Sequence, residues 1–359
     1  MKAVVNSGVL AKELKKLAPV IKKNTVLPIL DCVKISFEKD KATLMATDLN
    51  TTVILESPCE CKVPFVLIVE FNAFSDILAK INQSVTIELK DNEVLIHSDK
   101  GKFKFTKAGE DSEFPRIPDE TFISTISVGD TFFSSLYNAD QCKGDDLRPN
   151  MNGACIHLQK DSLSIVATDA HILYKDDFKI KTGLEKRLII PNVFTQMVKQ
   201  FSDAKLHISD KFVKAEEDGV VVISRLVDAV FVSYEVVLIP DIVYNLKTDR
   251  KDLITELSLV STAANRATNL VSIEFLSDNC INIFSEDVDY GREGNTKINA
   301  THSVDFDRIG LNAAQAIKLL NLFTSEEVEF SFRSKEKSVF LRPAGEPATL
   351  CLIQPIFIK

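Results

Sequence analysis

Ile35-Ser-Phe-Glu-Lys-Asp-Lys-Ala-Thr-Leu-Met-Ala-Thr-Asp48 returns in altered form as Ile156-His-Leu-Gln-Lys-Asp-Ser-Leu-Ser-Ile-Val-Ala-Thr-Asp169. A third version, Ile273-Glu-Phe-Leu-Ser-Asp-Asn-Cys-Ile-Asn-Ile-Phe-Ser-Glu286, keeps the alternation and changes the end. Downstream of each stands a second landmark: Asn72-Ala73-Phe74, Asn192-Val193-Phe194 and Asn312-Ala313-Ala314, at intervals of 120 residues. Each landmark opens a short amphipathic segment, so each unit reads as helix, paired strands, second helix, further strands. Landmarks in one order at one long period imply three copies of a domain, and a chain of repeats invites closure by symmetry. Proline and polar residues mark the junctions at Phe114–Pro118 and Leu238–Asp241, which places the copies at 1–120, 121–243 and 244–359. The expected class is α+β, with two helices per copy packed on antiparallel sheets.

The 359 residues give each copy enough chain for a core of its own. No run of about 18 apolar residues exists to span a membrane, and Met1–Ser7 lacks the apolar core and cleavage site of a signal peptide. Seven scattered cysteines, mostly inside strand-like runs, suit reduced core thiols in the cytoplasm. The close pair Cys59 and Cys61 has no His or Cys nearby in sequence to complete a metal site. The net charge of −8 excludes a uniformly basic nucleic-acid surface, although segregated charge remains compatible with one.

The clearest helix covers residues 9–23, with Leu10, Leu14, Leu17 and Ile21 on one arc and Ser7 as the expected N-cap. Its far side carries Lys12, Lys15, Lys16, Lys22 and Lys23, a stripe suited either to tracking phosphates or simply to solvent. The helices after the Asn landmarks bury Phe74, Ile77, Leu78 and Ile81 in one copy and Phe194, Met197, Val198 and Phe201 in the next. Their polar sides hold Lys80, and Gln196, Lys199 and Gln200. Asn72 and Asn192 are expected N-caps.

The repeated dyads Thr47-Asp48 and Thr168-Asp169 are the best candidates for carboxylate chemistry. Each ends a strand before a reversal, where Asp commonly accepts from the backbone N–H groups that follow it. No nucleophile–base order, Gly-rich phosphate loop or metal-spaced His pair accompanies them. No cofactor, metal or catalytic residue is therefore assigned. A hydrolase built on Asp48 and Asp169, and a protein scaffold that never meets DNA, are the alternatives. Lys100, Lys102 and Lys104 share one face of a strand, with Phe103 and Phe105 on the other. The acidic run containing Glu286, Asp287, Asp289 and Glu293 is read as a complementary strand edge. Pairing of these basic and acidic edges between two chains predicts a closed head-to-tail homodimer.

At these residues the chain resembles the DNA polymerase III beta subunit family, the bacterial sliding clamps, over its whole length. The resemblance is carried by Leu27-Pro-Ile-Leu30, Ala46-Thr-Asp-Leu49, Arg148 with Asn152-Gly153, Ala167-Thr-Asp-Ala-His-Ile-Leu173, Phe231 to Pro240, and Gln354-Pro-Ile356. It implies half of a six-lobed ring around double-stranded DNA, held topologically and by phosphate contacts rather than base readout. Lys12, Lys15, Lys16, Lys22, Lys23, Lys80 and Lys199 then belong to the inner wall. The resemblance also implies short peptide motifs as ligands, from the polymerase III alpha subunit, the clamp loader and other clamp-binding proteins. Their cleft, carried over by position, comprises Met151, Thr168, Ala170, His171, Ile172, Leu173, Val232, Val236, Val237, Ser338, Leu352, Gln354, Pro355 and Ile356. Several positions depart from the family. Its Gly-His-Arg is Ala170-His171-Ile172, its Phe-Pro-Asp-Tyr is Phe231-Val-Ser-Tyr234 followed by Glu235 and Val236, and its Met-Pro-Met tail is Gln354-Pro-Ile356 running on to Lys359. A more apolar groove is expected. The arginine that the family carries before Leu27 is Asn24 here, which shifts DNA contact towards Lys22 and Lys23.

Overall fold

The computed structural model describes residues 1–117, 119–238 and 242–358. The junction residues Pro118 and Ile239–Asp241 and the tail residue Lys359 lie outside the described residues. The first copy runs β1 (Lys2–Asn6), α1 (Ser7–Lys16), β2 (Cys32–Phe37), β3 (Lys41–Thr47), β4 (Thr51–Pro58), β5 (Glu60–Cys61), β6 (Phe65–Glu70), α2 (Phe71–Ile81), β7 (Ser84–Lys90), β8 (Glu93–Ser98) and β9 (Gly101–Thr106). The second runs β10 (Ser124–Gly129), α3 (Asp130–Gln141), β11 (Ala154–Gln159), β12 (Ser162–Thr168), β13 (Ile172–Phe178), β14 (Lys186–Ile190), α4 (Asn192–Val198), β15 (Asp203–Ile208), β16 (Phe212–Glu217) and β17 (Val220–Arg225). The third runs β18 (Tyr244–Asp249), α5 (Arg250–Val260), β19 (Leu270–Leu276), β20 (Cys280–Asp287), β21 (Arg292–His302), β22 (Arg308–Asn312), α6 (Ala313–Leu320), β23 (Glu327–Phe332), β24 (Val339–Pro343) and β25 (Thr349–Ile353). Strand, helix, four principal strands, helix and three strands recur three times, as the repeat requires.

The chain packs as two units, Met1–Ser134 with Ile190–Leu226, and Ser135–Ile189 with Val227–Lys359. The first contains a five-stranded sheet, β5-β1-β7-β8-β9, and an eight-stranded sheet, β10-β15-β16-β17-β4-β3-β2-β6. The second contains a twelve-stranded sheet, β14-β11-β12-β13-β25-β24-β23-β18-β21-β20-β19-β22. In each unit a late strand of one copy extends the sheet of the copy before it. Ser224 of β17 faces Thr51 of β4, and Ile353 of β25 faces Ile172 of β13, both antiparallel. Apolar helix faces close over these sheets, burying Leu10, Leu14 and Phe74 in the first unit and Leu253, Leu257 and Leu319 in the second. The seven cysteines are free and all but Cys280 are buried, as expected of core thiols.

Three local expectations are corrected. Helix α1 ends at Lys16 rather than Lys23, because Pro19 has no N–H to continue the ladder and its ring disfavours the helical turn before it. Lys22 and Lys23 therefore sit on a connection, which Asn24 builds by accepting from the N–H groups of Val26 and Leu27 at 2.9 Å each. The cap of α1 is Asn6, whose side chain accepts from Val9 N–H at 3.1 Å. Ser7 is buried, and its hydroxyl accepts from Gln83 N–H instead. The cap of α2 is Glu70, whose two carboxylate oxygens take the N–H groups of Asn72 and Ala73 at 2.9 and 2.8 Å. That of α4 is Pro191, with no side-chain bond. Of the three landmark asparagines, Asn312 does cap its helix, accepting from Gln315 N–H at 3.0 Å.

Candidate functional site

The Thr-Asp dyads build two turns with one hydrogen-bond plan. In the second copy Thr168 Oγ1 donates to Ile172 O at 2.6 Å and accepts from Ala170 N–H at 3.1 Å. Asp169 Oδ1 accepts from His171 and Ile172 N–H at 2.8 Å each. The first copy repeats this with Thr47, Leu49, Thr51 and the Oδ1 of Asp48. One oxygen of each Asp is thus occupied by two backbone donors, which is the work of a turn. Ala170 and Leu49 take the turn's left-handed position, with φ of 79° and 74°, a conformation usually left to Gly. Among the described residues no group of His, Cys, Asp and Glu is disposed to hold a metal.

The turn at 168–172 brings the carried-over cleft residues together in the second unit. Gln354 N–H donates to His171 O at 2.9 Å, and Gln354 Nε2 to Ser338 Oγ at 2.8 Å. One pocket of about 350 Å³ is lined by Lys143, Gly144, Asp145, Arg148, Asp169 and His171. Another of about 380 Å³ is lined by Val236, Val237, Ile242, Arg333, Glu336, Lys337, Ser338, Phe340 and Gln354. The His171–Gln354 bond links the two. Val236 and Val237 are exposed, by 67% and 39%, on a short 3-10 turn covering Tyr234–Val237. Leu173 and Leu352 lie below, in a buried cluster with Phe231, Tyr234 and Phe340, against which Val232 packs.

The cleft differs from expectation in composition. Ile172 is buried, so its apolar side chain enters the core rather than an open groove; the first three residues of β13 are all buried, so both faces of the strand are covered there. Met151 and Thr168 are also buried and act as backing. Arg148, Lys143, Arg333 and Lys337, interleaved with Asp145, Asp169 and Glu336, give the rim a mixed charge that sequence reasoning missed. Arg148 was legible as part of the matching segment, but the others depend on which loop folds over which strand.

The 3-10 turn is pinned by a polar cluster that sequence reasoning also missed. Arg187 makes a close ion pair with Glu235, the residue standing where the family has an arginine. The same guanidinium lies 5.6 Å from the Tyr234 ring centroid and donates to Val232 O at 3.4 Å. His157 Nδ1 is 2.8 Å from the Tyr234 hydroxyl. Burial, then the charge of Arg187, hold His157 below the ordinary histidine pKa. Burial, then Glu235, push the Tyr234 phenol up to about 12, so the ring remains a neutral hydrogen-bonding partner.

In the first unit Lys12, Lys15, Lys16, Lys22, Lys23, Lys80 and Lys199 are all exposed. Lys15, Lys16 and Lys199 converge on one pocket of about 520 Å³ with Gln196 and Gln200, floored by Pro19, Leu55, Met197, Phe201 and Val220 and bordered by Glu217 and Asp218. Lys12, Lys22, Lys23 and Lys80 do not line it.

The end strands differ from each other. β9 is the edge of its sheet. Phe105 packs on Phe74 with ring centroids 5.6 Å apart, Phe103 is 38% exposed, and Lys104 pairs with Glu93. Lys102 stands opposite His97, and Lys100 lies in the turn before the strand. The acidic run lies on an open strand edge only at Glu293. It is the connection between β20 and β21, with Glu286 facing Glu293 across the hairpin and Asp289 in a 3-10 turn. Asp287 is buried, because it shares the inward face of β20 with Ser285, so it offers no surface charge. The unpaired flank is the first part of β21. That strand meets β18 only through Ala300–His302, so among the described strands residues 292–299 pair with β20 alone.

Triplicated strand-and-helix units, continuous antiparallel sheets and lysines on a helical face are the parts of a DNA clamp. Family models agree: residues 1–118 match the N-terminal domain, and 140–232 the central domain, of the DNA polymerase III beta subunit. The beta sliding clamp of Vibrio cholerae is 23% identical, covering 99% of this chain and 100% of the relative. A Pseudomonas aeruginosa sliding clamp bound to griselimycin superposes with a TM-score of 0.93 at 19% identity, and the Thermotoga maritima beta subunit with 0.90 at 21%, each covering both chains fully. The chain belongs to the DNA polymerase III beta subunit family, the sliding clamps. It is a DNA sliding clamp that serves polymerase III processivity, a role in which the family is non-catalytic. No helix among the described residues is long and apolar enough to cross a membrane.

Proposed function

We propose that two copies of this chain close head to tail into a ring, β9 of one protomer pairing along residues 292–299 of its partner. The observation carrying this reading is the pair of unpaired strand flanks, one lysine-rich and the other beside Glu286, Asp289 and Glu293. Such flanks are stable in solution only when charged, bent or paired. Copy boundaries fall at 120 and 243. Duplex DNA passes through the ring, and Lys12, Lys15, Lys16, Lys22, Lys23, Lys80 and Lys199 meet its phosphates without reading bases. The partner is a peptide motif seated on Val236, Val237, His171, Ser338 and Gln354, presented by the polymerase III alpha subunit, the clamp loader and other clamp-binding proteins. An apolar groove with a few polar anchors suits shared ligands of modest affinity. The site of action is the cytoplasm, where the bacterial chromosome is copied.

The test is topological. Protein loaded onto circular duplex DNA by its clamp loader should leave when the circle is cut and its ends are free. Retention on the linear product at moderate salt would sink the ring. Neutralising the seven lysines should flatten the salt dependence of DNA association, by up to about 0.9 in log–log slope for each phosphate no longer neutralised.

A further inference from the structure

The last residues of the chain leave β25 at Ile353 and cross to a strand far away in sequence. Ile356 N–H donates to Gly310 O at 2.8 Å, and the two residues form an antiparallel bridge on β22, the terminal strand of the twelve-stranded sheet. The approach is closer than any side chain allows. A Cβ on Gly310 would lie 2.5 Å from Ile356 O, and 2.6 and 2.8 Å from Cγ1 and Cδ1 of Ile358. Ile358 could rotate away, but the Ile356 carbonyl is backbone and cannot move without the segment. Gly310 has no positive φ to explain it, so its role is proximity rather than conformation. The segment is held at its other end by the Gln354 bonds to His171 O and Ser338 Oγ. Residues 354–358 are therefore a strap stretched between the cleft and β22.

We propose that Gly310 is a positioning residue for the partner-peptide cleft. Its bare Cα lets the strap dock on β22, and the docked strap holds Gln354, Pro355 and Ile356 where they form the cleft wall. Gly310 touches no peptide in this scheme, and its effect passes entirely through the strap. The inference rests on the reading of this surface as the peptide cleft, so the experiment tests the two separately.

Affinity for the cognate polymerase III alpha subunit is measured by surface plasmon resonance on the full-length clamp. Its dimer mass and melting temperature are recorded alongside. Val236→Asp, which strikes the pocket directly, must weaken binding about 30-fold or more; if it does not, the cleft reading itself fails. Gly310→Ala should weaken binding about tenfold, a loss of roughly 1.4 kcal/mol, with the dimer intact. Truncation after Pro355 removes the docking half of the strap together with Ile356 of the cleft wall and should cost at least as much. Gly310→Ala within the truncated chain should then add nothing, because coupled changes are not additive. A full additional loss in that double variant, or a lowered melting temperature with unchanged affinity, overturns the proposal. If Gly310→Ala does not fold, the truncated chain decides alone, and wild-type affinity there overturns it.

Discussion

The turn at Thr47–Thr51 and the turn at Thr168–Ile172 are built alike and surrounded differently. In both, a buried Thr hydroxyl bridges the reversal, an Asp carboxylate takes two backbone donors, and a non-Gly residue bears the left-handed φ. Both receive a strand from the following copy, with Arg225 N–H on Asn50 O at 2.8 Å and Gln354 N–H on His171 O at 2.9 Å. The divergence lies in what packs beside them. Just before Ile35 of the repeat, the first copy has Lys34, which pairs with Asp111 beside a pocket walled by Glu110, Arg116 and Ile117. The second copy has Cys155 at that place; its His157, where the first copy has Ser36, is bonded to Tyr234, and the turn that follows Tyr234 presents two exposed valines. Duplication supplied the same scaffold twice, and a few side chains placed the exposed Val236 and Val237 beside only the second.

The sharpest way to break this comparison is to charge each surface in turn. Val236→Asp should lower affinity for the polymerase alpha subunit about 30-fold or more, roughly 2 kcal/mol, as loss of a central apolar anchor does. Leu49→Asp, on the exposed first-copy turn, should change it less than about twofold. Equal losses in a binding assay would mean that both turns serve partners.

A smaller effect tests whether the scaffolds are the same. Thr47→Val and Thr168→Val each delete a buried hydroxyl and strand its backbone partners, at about 1–3 kcal/mol. Denaturant midpoints should fall for both, while partner affinity should fall only for Thr168→Val. A midpoint that moves for one variant alone would show that the shared bonds do unequal work.

The smallest effect is in pH. His157 has a folded pKa lowered by burial and Arg187, so as pH falls through about 6.5 the unfolded chain takes up the proton first. The stability contributed by neutral His157 is present above that pH and is lost as pH drops towards the lowered value. His157→Gln should remove part of the acid-side decline in melting temperature. Lys34→Met, which leaves His157 and its surroundings in place, should leave the slope there untouched. An unaltered profile in His157→Gln would detach the histidine from the latch.

The helices and the turn-building role of Asp48 and Asp169 were legible because period and turn chemistry are local. The caps were less so. Asn72 looks like a cap in the sequence, but Glu70 reaches the same donors with two oxygens, a choice decided by where β6 releases the chain. The charge of the acidic run misled for a similar reason. Whether Asp287 faces water depends on the register of β20 and on the helix above it, not on its neighbours in sequence.

By itself the sequence determined that the fold is threefold and what each copy contains, since these follow from periodicity and local hydrogen-bonding preference; the family followed from the resemblance of segments such as Ala167–Leu173. Only the tertiary structure decided that Lys15, Lys16 and Lys199 share a pocket, that Ile172 is core, that Glu235 latches to Arg187, and that Gly310 must lack a side chain. Each of these joins residues tens to hundreds of positions apart, and close packing between distant segments leaves no periodic trace along the chain.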